Sequence, residues 1–449
     1  MIFDFLKYCL DGKDNMSTVV ANIDWQQMYY FASKQAILGL CFEGIERLGR
    51  EYPDELKRNP IDRNLLMTWM AKAQQIHRQN MKVNAVAGRL FSLLKKGGMR
   101  CCVLKGQGNA LMYPNPYSRN PGDIDVWINA SREEITEYAK CHFKLEDDIR
   151  FHHLETTMDG VPVELHFFPG IMNNPVYNAR LQKWFKRNAD LQCSNVVSLP
   201  DGIGEIARPT TAFNVIYQLT HLYHHFFDEG IGMRQIIDYY VVMNDFWKVK
   251  ESFSQPSRPS LPKEGSTAFP KPLSPQGTGD VTAPSRCSEP LRSKVGGASK
   301  PSPDCAGWDR RDAIGDIASD ASVSSAFTTD SSVSTALDVV QRELKYLGLW
   351  KFAGAVMYVL HEVLGLSEDK MIAPMDEKRG RLLLAEILEG GNFGRHFTKY
   401  AGFTHQSMGK KYFLKIWRNM HFVRYYPAEA LCEPFFRTWH FFWRLKYKN

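Results

Sequence analysis

Apolar side chains recur every three to four positions through the first 97 residues, a spacing typical of helices with one packed face. One such segment begins at Trp25, directly after the N-cap candidates Asn22 and Asp24. A longer one covers 64–96, contains no proline, and ends in a basic turn followed by two glycines. The pattern therefore predicts an N-terminal helical region over residues 1–97.

The period changes between residues 98 and 205. The apolar run 100–105 and the alternating segments 123–128 and 161–167 are typical of short strands. Between the last two, the segment Ser131-Arg-Glu-Glu134 has the spacing of a capping box, which starts a helix. Strands mixed with a helix in this way predict a small α/β or α+β domain over 98–205.

Helical spacing returns over 206–250 and again over 336–449, whereas the stretch 251–335 breaks every pattern. Ten of the 23 prolines lie in this stretch, followed by a tract rich in Ser, Thr, Ala and Asp. The stretch contains very few large apolar residues, so the burial of its side chains does not offset the entropy lost when the chain is ordered. We therefore predict a disordered, low-complexity insertion at 251–335 inside a C-terminal helical region formed by 206–250 and 336–449.

Composition narrows the class of protein. The chain has 449 residues, 44% apolar and 23% charged, which excludes a fibrous or a wholly disordered protein. The formal charge of +7 is a weak bias for this length and argues against a nucleic-acid partner. Nine cysteines without a C-x-x-C pair are typical of a reducing compartment. Apolar runs stay shorter than the roughly 18–20 residues that span a bilayer, and the N-terminus lacks a basic leader, so we expect a soluble cytoplasmic protein with no membrane partner.

Three carboxylates carry the candidate chemistry. Asp123 and Asp125 are separated by one residue on a predicted strand, so their side chains point to the same side of the sheet. Two carboxylates this close repel each other unless a divalent cation lies between them, and hard oxygen ligands favour Mg²⁺ or Mn²⁺. Glu164, on the later strand, supplies a third carboxylate if the two strands are adjacent. We predict that these three residues are the metal ligands and the catalytic residues.

A glycine turn precedes the carboxylates in the sequence. Gly106 follows the first strand directly, where a glycine lets backbone N–H groups approach a phosphate. Lys105 and Arg119 supply charge for a triphosphate, Arg119 by a bidentate contact. Lys105, Gly106 and Arg119 are thus the predicted nucleotide-binding residues. With the metal they suit nucleotidyl transfer, in which a hydroxyl attacks the α-phosphate and pyrophosphate leaves.

These motifs resemble those of an uncharacterised bacterial nucleotidyltransferase family within the DNA polymerase β-like superfamily. The matching segments are Leu104-Lys-Gly-Gln-Gly-Asn-Ala-Leu-Met-Tyr-Pro114, Arg119, Gly122-Asp-Ile-Asp125 and Val163-Glu-Leu-His166. The resemblance implies that Gly106 lies in the phosphate-binding turn and that Asp123 and Asp125 form the metal pair. It also implies that Glu164 is the third carboxylate. The segment 221–238 and the loop 390–394 resemble parts of the same family.

The expected fold class is α+β, with a small mixed-sheet nucleotidyltransferase core flanked by N- and C-terminal helical regions and carrying the long disordered insertion. The expected activity is the Mg²⁺-dependent (or Mn²⁺-dependent) transfer of a nucleoside monophosphate from an NTP, with ATP favoured. The acceptor is a hydroxyl of an unknown protein side chain or small molecule. An alternative is a catalytically inactive nucleotide-binding module that acts as an interaction or antitoxin-like partner.

Histidines suggest a further option, a metal-dependent hydrolase with a zinc site drawn from His152, His153, His166, His221, His224 and His225. His221, His224 and His225 lie in a predicted helix rich in aromatics, where we expect them to pack as amphipathic side chains rather than bind zinc. His166 differs, because it is two residues from Glu164 and shares its strand face. We expect His166 to border the active site.

Two other features have structural interpretations. Arg234 and Asp238 have the i, i+4 spacing of an intrahelical ion pair, although an interdomain pair is also compatible. The run 435–448 is aromatic and basic, and we expect it to be a terminal helix that docks its aromatics onto the helical region. Binding to a membrane surface or a nucleic acid is the alternative for this run.

Overall fold

The structure, a computed structural model, describes residues 1–12, 15–146, 150–254, 332–397 and 408–447. Its α-helices are α1 (Ile2–Asp11), α2 (Ser17–Asn22), α3 (Trp25–Lys34), α4 (Leu38–Glu51), α5 (Pro53–Arg58), α6 (Arg63–Lys96), α7 (Gln107–Ala110), α8 (Arg132–His142), α9 (Pro175–Ser194), α10 (Thr211–Asp228), α11 (Met233–Ser254), α12 (Ser332–Tyr346), α13 (Trp350–Leu364), α14 (Glu377–Gly390), α15 (Met408–Met420) and α16 (Pro427–Tyr447). Its strands are β1 (Cys101–Val103), β2 (Ile124–Ile128), β3 (His153–Met158), β4 (Val161–His166), β5 (Val196–Ser198) and β6 (Glu205–Ala207).

Four of the strands form a mixed sheet in the order β1-β2-β4-β3. Strands β1 and β2 are antiparallel, β2 and β4 are parallel, and β3 is antiparallel to β4 at the other edge. Helix α8 and strand β3 lie between β2 and β4 along the chain, which gives the parallel pair the long connection it requires. Strands β5 and β6 form a separate antiparallel pair.

One face of this sheet is apolar and covered by helices. Val126 of β2 and Leu165 of β4 are buried in a cluster that also contains Leu90 of α6 and Ile135 of α8. Burial of such side chains contributes roughly 1.5–3 kcal/mol each. Because side chains alternate along a strand, the residues at the intervening positions point to the opposite face.

The opposite face is partly apolar and partly polar. Trp127 of β2 lies parallel to Phe213 of α10 with ring centroids 6.2 Å apart, and Phe213 stacks on Trp184 of α9 at 4.4 Å. These contacts pack α9 and α10 against one part of the face. The remaining part carries charged and polar side chains and borders a cavity.

Several elements lie where the sequence predicts them. Helix α6 begins one residue before the predicted start, and the Asp62 side chain accepts from the N–H groups of Asn64 and Leu65 as its N-cap. The capping box of Ser131 and Glu134 is formed at the start of α8. The three predicted strand segments contain β1, β2 and β4.

Other elements differ from the predictions. The helical spacing that begins at Trp25 is interrupted, because α3 ends at Lys34 and α4 begins at Leu38. The helical stretch from residue 210 is likewise two helices, α10 and α11, separated by a turn in which Gly230 has a φ of 102°. Strand β3 was not predicted, since its mixture of His, Glu and Thr lacks a clear apolar alternation.

The fold class is α+β, as predicted, with many helices around a small mixed sheet. Most of the predicted insertion, 255–331, lies outside the described residues. At its edges α11 extends to Ser254 and α12 begins at Ser332, so helix reaches a few residues further than predicted. Within the described part of the chain, none of the helices combines the length and the apolar character that crossing a membrane requires.

Candidate functional site

A cavity of about 310 Å³ borders the polar part of the sheet. Strands β2 and β4 form one side, α10 and α11 form the opposite side, and Phe393 and Arg395 reach it from the segment after α14. The seven residues that the sequence nominates all line this cavity: Lys105, Gly106, Arg119, Asp123, Asp125, Glu164 and His166. The tertiary structure therefore brings together side chains from four separate segments of the chain.

The two strands that carry the carboxylates are neighbours. Asp125 of β2 and Glu164 of β4 are register partners in the parallel pair, so their side chains leave the same face of the sheet. Asp123 immediately precedes β2 and lines the same cavity. The adjacency on which the sequence-based hypothesis depended is present in the fold.

His166 lies between the two strand carboxylates. Its Nε2 is 3.1 Å from Asp125 Oδ1 and 3.0 Å from Glu164 Oε2. Its Nδ1 is 3.3 Å from the carbonyl oxygen of Phe168, and the side chain is buried. His166 is therefore at the centre of the polar cluster, whereas the sequence placed it at the border.

Lys105 connects the glycine turn to the carboxylates. Its Nζ is 3.1 Å from Asp125 Oδ1 and 3.2 Å from His221 Nε2. The N–H of Leu104 donates to the Asp125 carbonyl oxygen at 3.0 Å, which fixes the turn beside β2. Gly106 follows with a φ of 57°, a left-handed conformation that favours glycine. The turn thus requires glycine for its backbone conformation.

Charges of both signs shift the pKa values in this cluster. Burial alone would raise the pKa of Asp125, but Lys105 and His166 hold it well below its ordinary value. Burial tends to lower the pKa of His166, yet hydrogen bonds to Asp125 and Glu164 raise it to about 9. Burial and the nearby Asp125 charge raise the pKa of Glu164, although His166 opposes them. Lys105 and His166 are therefore the cations that balance these carboxylates.

The cluster has the donors of a metal site. Asp125, Glu164 and His166 each offer one ligand atom, and these atoms lie within 4.8 Å of one another. Asp125 Oδ2 is buried and has no hydrogen-bond partner among the described residues. A buried carboxylate oxygen without a partner is costly unless a ligand or ion binds it. This orphaned oxygen, together with the hard oxygen donors, fits a divalent cation.

Arg119, which the sequence nominates as a triphosphate contact, is engaged by protein groups. Its Nε and Nη2 donate to the two carboxylate oxygens of Asp238 at 2.7 and 2.8 Å, and its Nη1 donates to the Asn120 carbonyl oxygen at 3.3 Å. Tyr113 also donates to Asp238, at 2.7 Å. Asp238 therefore pairs across the fold with Arg119, a partner that the i, i+4 interpretation did not include.

Arg234, which lies beside Arg119, has an N–H donor that is not used by protein groups of the described residues. Its Nη1 donates to the Asn120 carbonyl oxygen at 3.2 Å, and its Nε is buried without a hydrogen-bond partner among the described residues. Its guanidinium lies 5.3 Å from the centre of the Phe393 ring. Burial and the nearby Arg119 charge lower the pKa of Arg234, which indicates that it lacks a full anionic partner here.

Histidines form much of the remaining wall. The cavity is lined by His152, His153, His221, His224 and His225 in addition to His166. Burial lowers the pKa of His153 to about 2 and that of His225 to about 3, so these two rings are neutral. The sequence explained the histidines of α10 as packed amphipathic side chains, and they are half-buried, but they also face the cavity. His153 is the first residue of β3 and His152 directly precedes it, so these two histidines of the zinc option reach the cavity through a strand that was not predicted.

Comparisons with known proteins give two matches. A sequence profile of a family described as uncharacterised nucleotidyltransferase matches residues 21–252. Among solved structures, the chain is similar to an antigenic nucleotidyltransferase-like protein from Paracoccidioides brasiliensis, at 17% sequence identity over 36% of this chain and 75% of that chain, with a TM-score of 0.25. A search of curated proteins gives no match.

Proposed function

Because the chain belongs to the family of uncharacterised nucleotidyltransferases, we propose that it transfers a nucleoside monophosphate from an NTP to an acceptor hydroxyl. The hydroxyl oxygen bonds to the α-phosphorus, the bond from that phosphorus to the bridging oxygen breaks, and pyrophosphate leaves. The hydroxyl proton passes to a site carboxylate or to water. The observation that carries the proposal is the register pairing of Asp125 with Glu164, beside Asp123 and a glycine turn in one cavity.

The proposed metal ligands are Asp123, Asp125 and Glu164, and a bound Mg²⁺ or Mn²⁺ would neutralise charge on the reacting phosphate. The unpaired Oδ2 of Asp125 supports this assignment. One of the three carboxylates also orients the acceptor hydroxyl and takes its proton.

The proposed triphosphate contacts are the Lys105 ammonium, the Gly106 turn and a guanidinium. Lys105 is held at the cavity by Asp125 and His221, so its charge is already positioned. We assign the guanidinium contact to Arg234 in place of Arg119, because the Arg234 Nε has no hydrogen-bond partner among the described residues, whereas Arg119 is held by both carboxylate oxygens of Asp238. Arg119 then positions the loop that carries Asp123. The nucleotide is proposed to be ATP, and the acceptor a protein side chain or a small molecule.

The test is a label-transfer assay on the full chain. The protein is incubated with each α-³²P-labelled NTP, with Mg²⁺ or Mn²⁺ and a cell lysate, and both transferred label and released pyrophosphate are measured. We expect transfer by the wild type and a loss of roughly a hundredfold or more in Asp123→Ala and in Asp125→Ala, because several kcal/mol of transition-state charge stabilisation is removed. Asp245→Asn is the matched control, since this half-buried carboxylate hydrogen-bonds Thr211 away from the cavity.

The second candidate is the inactive nucleotide-binding module. It gains support if the wild type and both aspartate variants bind nucleotide equally and none transfers label or releases pyrophosphate. The position of His166 is the observation in its favour, because its Nε2 lies 3.1 Å from Asp125 and 3.0 Å from Glu164, in the space where a metal ion would lie.

A further inference from the structure

The position of His166 raises the question of which metal ion the site selects. The imidazole Nε2 is 3.1 Å from Asp125 Oδ1 and 3.0 Å from Glu164 Oε2. Two ligand atoms at right angles around an octahedral ion, with bonds of about 2.1 Å, are separated by about 3.0 Å. The separations from the imidazole nitrogen to the two carboxylate oxygens are therefore those of neighbouring ligands on one octahedral ion, and all three donor atoms lie within 4.8 Å of one another.

The second ring nitrogen of His166 is already engaged. Its Nδ1 lies 3.3 Å from the Phe168 carbonyl oxygen, which accepts a hydrogen bond from Nδ1–H in the tautomer that leaves Nε2 unprotonated. Metal-binding histidines characteristically donate the other ring N–H to a carbonyl or carboxylate, because this fixes both the tautomer and the ring orientation. The carbonyl contact thus aims the Nε2 lone pair at the space between the two carboxylates.

We propose that His166 is itself a metal ligand, so that the centre is a mixed carboxylate–imidazole site that prefers Mn²⁺ to Mg²⁺. The inference rests on the proposed function for its metal-dependent site, and it adds the identity of a ligand and of the ion. Mg²⁺ strongly favours oxygen donors, whereas imidazole nitrogen is a good ligand for the divalent transition metals. The buried, unpaired Oδ2 of Asp125 leaves a further donor available beside the same carboxylate.

Pulsed electron paramagnetic resonance of Mn²⁺ bound to the full chain tests this directly. A coordinated imidazole gives nitrogen modulation of the Mn²⁺ echo, and labelling the protein with ¹⁵N-histidine changes the pattern without altering the fold. We expect this modulation in the wild type and its absence in His166→Gln. The Mn²⁺ affinity of His166→Gln should be at least about tenfold weaker than that of the wild type. His224→Gln, on the other wall of the cavity, should keep the modulation. Competition titrations should show that Mg²⁺ displaces Mn²⁺ more easily from His166→Asp than from the wild type.

The outcomes separate the two proposals. Bound Mn²⁺ without histidine modulation in the wild type would overturn the ligand assignment and leave the nucleotidyltransferase proposal standing. Loss of modulation in His224→Gln but not in His166→Gln would also overturn it. Absence of label transfer with either metal would defeat the proposed function, while the spectra would still report whether His166 coordinates the ion.

A second and independent observation concerns the last two helices, α15 and α16. Each has a stripe of exposed apolar side chains at helical spacing, which we call the C-terminal apolar face: Phe413, Trp417 and Met420 on α15, and Leu431, Phe435, Trp439 and Phe442 on α16. Phe413 is 71% exposed and Phe435 is 79% exposed. The hydroxyl groups of Tyr412 and Thr438 are hydrogen-bonded, so the two helices are neighbours. The expectation that this aromatic run docks onto the helical region is thus only partly met.

The other side of α16 is anchored, so the exposed stripe is not a consequence of a poorly packed helix. Arg437 donates to Asp228 at 2.9 Å, and the Glu429 side chain accepts from the N–H of Asn173 at 2.5 Å. Trp443 also makes an edge contact with Phe151, with ring centroids 5.6 Å apart. Helix α16 therefore uses one face for the fold and presents the other to the surroundings.

Charge on this helix pair has one sign at the surface. Between Met408 and Tyr447 the chain has eight Lys and Arg residues and two acidic residues. The acidic pair, Glu429 and Glu433, is buried. Lys410, Arg424 and Lys446 are exposed at the ends of the helices and flank the apolar stripes. Apolar side chains flanked by basic ones suit the boundary between the headgroups and acyl chains of an anionic membrane.

We infer that the C-terminal apolar face binds peripherally to an anionic lipid surface. A lipid surface is favoured over a nucleic acid because the exposed stripes are continuous and carry few hydrogen-bonding groups. In addition, the basic residues lie at the ends of the stripes rather than between the aromatics. Helix α16 also lines a small cavity that shares His152 and Asp228 with the candidate site. Lipid binding by this helix would therefore hold the candidate site close to the membrane.

Co-sedimentation with vesicles tests the inference. The full chain is mixed with vesicles of pure phosphatidylcholine or of an equimolar phosphatidylcholine–phosphatidylglycerol mixture. We expect binding to the anionic vesicles that weakens with salt, and about tenfold weaker binding for the variant Phe413→Ser/Phe435→Ser/Phe442→Ser. The charge variant Lys410→Glu/Arg424→Glu, at exposed polar positions that leave the fold intact, should weaken binding in the same direction. Leu191→Ser, an exposed apolar residue of α9, is the matched control and should bind as the wild type does.

Three results would overturn the inference. The first is equal binding by the wild type and both variants, or equal binding to neutral and anionic vesicles. The second is binding of a single-stranded RNA through the same residues without vesicle binding. The third is a concentration-dependent dimer that the triple serine variant abolishes, again without vesicle binding, which would assign the face to a second copy of the chain.

Discussion

Arg119 and Asp238 join two parts of the chain that are 119 residues apart. Burial favours the neutral form of each side chain, but each keeps the other ionised. Asp238 raises the pKa of Arg119, and Arg119 lowers the pKa of Asp238. Asn80 of α6 donates to the Arg119 carbonyl oxygen at 2.7 Å and so fixes the same loop. The pair therefore determines where Asp123, four residues further along, enters the cavity.

Replacing Arg119 by alanine should be strongly destabilising. Removing one partner leaves the Asp238 carboxylate buried and without its main counter-charge, which costs about 3–5 kcal/mol. The measurement is urea unfolding at neutral pH. Arg89→Ala is the control, because Arg89 pairs with Asp159 at the surface and such pairs contribute less than roughly 1 kcal/mol. Similar losses in both variants would show that the Arg119 pair is not a structural anchor.

At the scale of single elements, the break between α3 and α4 shows how tertiary contacts override a helical pattern. Gln35 is buried, and its side chain donates to the Ile387 carbonyl oxygen at 3.0 Å and accepts from the N–H of Met233 at 2.8 Å. These bonds satisfy backbone groups at the ends of α14 and α11. Ala36 takes a φ of 55° to make the turn, a conformation that residues with a Cβ adopt at a cost.

Ala36→Gly should therefore stabilise the protein, in contrast to most glycine substitutions. Relief of the left-handed strain outweighs the greater entropy of the unfolded chain, and we expect a gain of about 0.5–1 kcal/mol in the free energy of unfolding. Ala71→Gly, at an exposed position inside α6, should lose about 1 kcal/mol. Thermal and urea unfolding of both variants measure the two signs. A loss of stability in Ala36→Gly would contradict the strain that we assign to this turn.

The attachment of α16 should depend on pH through Glu429. Burial raises the pKa of this carboxyl to about 7, although N–H groups of Asn173 and Asn174 favour the charged form. The pKa of the Glu429 carboxyl is thus higher in the folded than in the unfolded protein. Its protonated form therefore contributes fully to the stability of the fold below the ordinary value of 4.5, and this contribution is lost as the pH rises through about 7. Over this range the loss is roughly 3 kcal/mol, at about 1.4 kcal/mol per pKa unit.

Comparing wild type with Glu429→Gln isolates this contribution. The free energy of unfolding of the wild type should fall relative to the variant between pH 4.5 and 7, because the amide does not titrate. Unfolding measured at several pH values across this range gives the difference between the two curves. Parallel curves would show that the Glu429 carboxyl is not protonated on folding.

For the whole molecule, the cavity exists because the small sheet packs against the C-terminal helices. Carboxylates come from β2 and β4, histidines from β3 and α10, and Arg234 from α11. The helices on either side of the predicted insertion are part of this packing, since Val340 and Leu344 of α12 are buried with α10 and α13. The core around α11 and α12 is thus formed by residues that lie outside the stretch 255–331.

Replacing residues 255–331 by a flexible Gly/Ser linker should leave the fold and the site intact. The composition of this stretch offers little apolar surface for the core, so we expect the melting temperature to change by less than about 3 °C. Label transfer and the Mn²⁺ spectrum should be those of the full chain. A large drop in melting temperature would show that the segment contributes to the packed structure.

The sequence by itself determined the local elements and the identity of the chemical groups. Hydrophobic periodicity and capping residues are local properties, so α6, α8 and the strands β1, β2 and β4 were predicted from it. Spacing and residue type also nominated the carboxylates, since the side chains of Asp123 and Asp125 share a strand face in any fold that makes them a strand.

Only the tertiary structure decided which of these groups meet. Whether β4 is adjacent to β2 depends on strand order, and a pairing between residues 39 positions apart leaves no local signal. The same is true of Asp238, which takes Arg119 as its partner, and of His166, whose ring lies between carboxylates on two strands. Long-range pairing depends on the summed packing free energy of the whole chain, and no short segment encodes it.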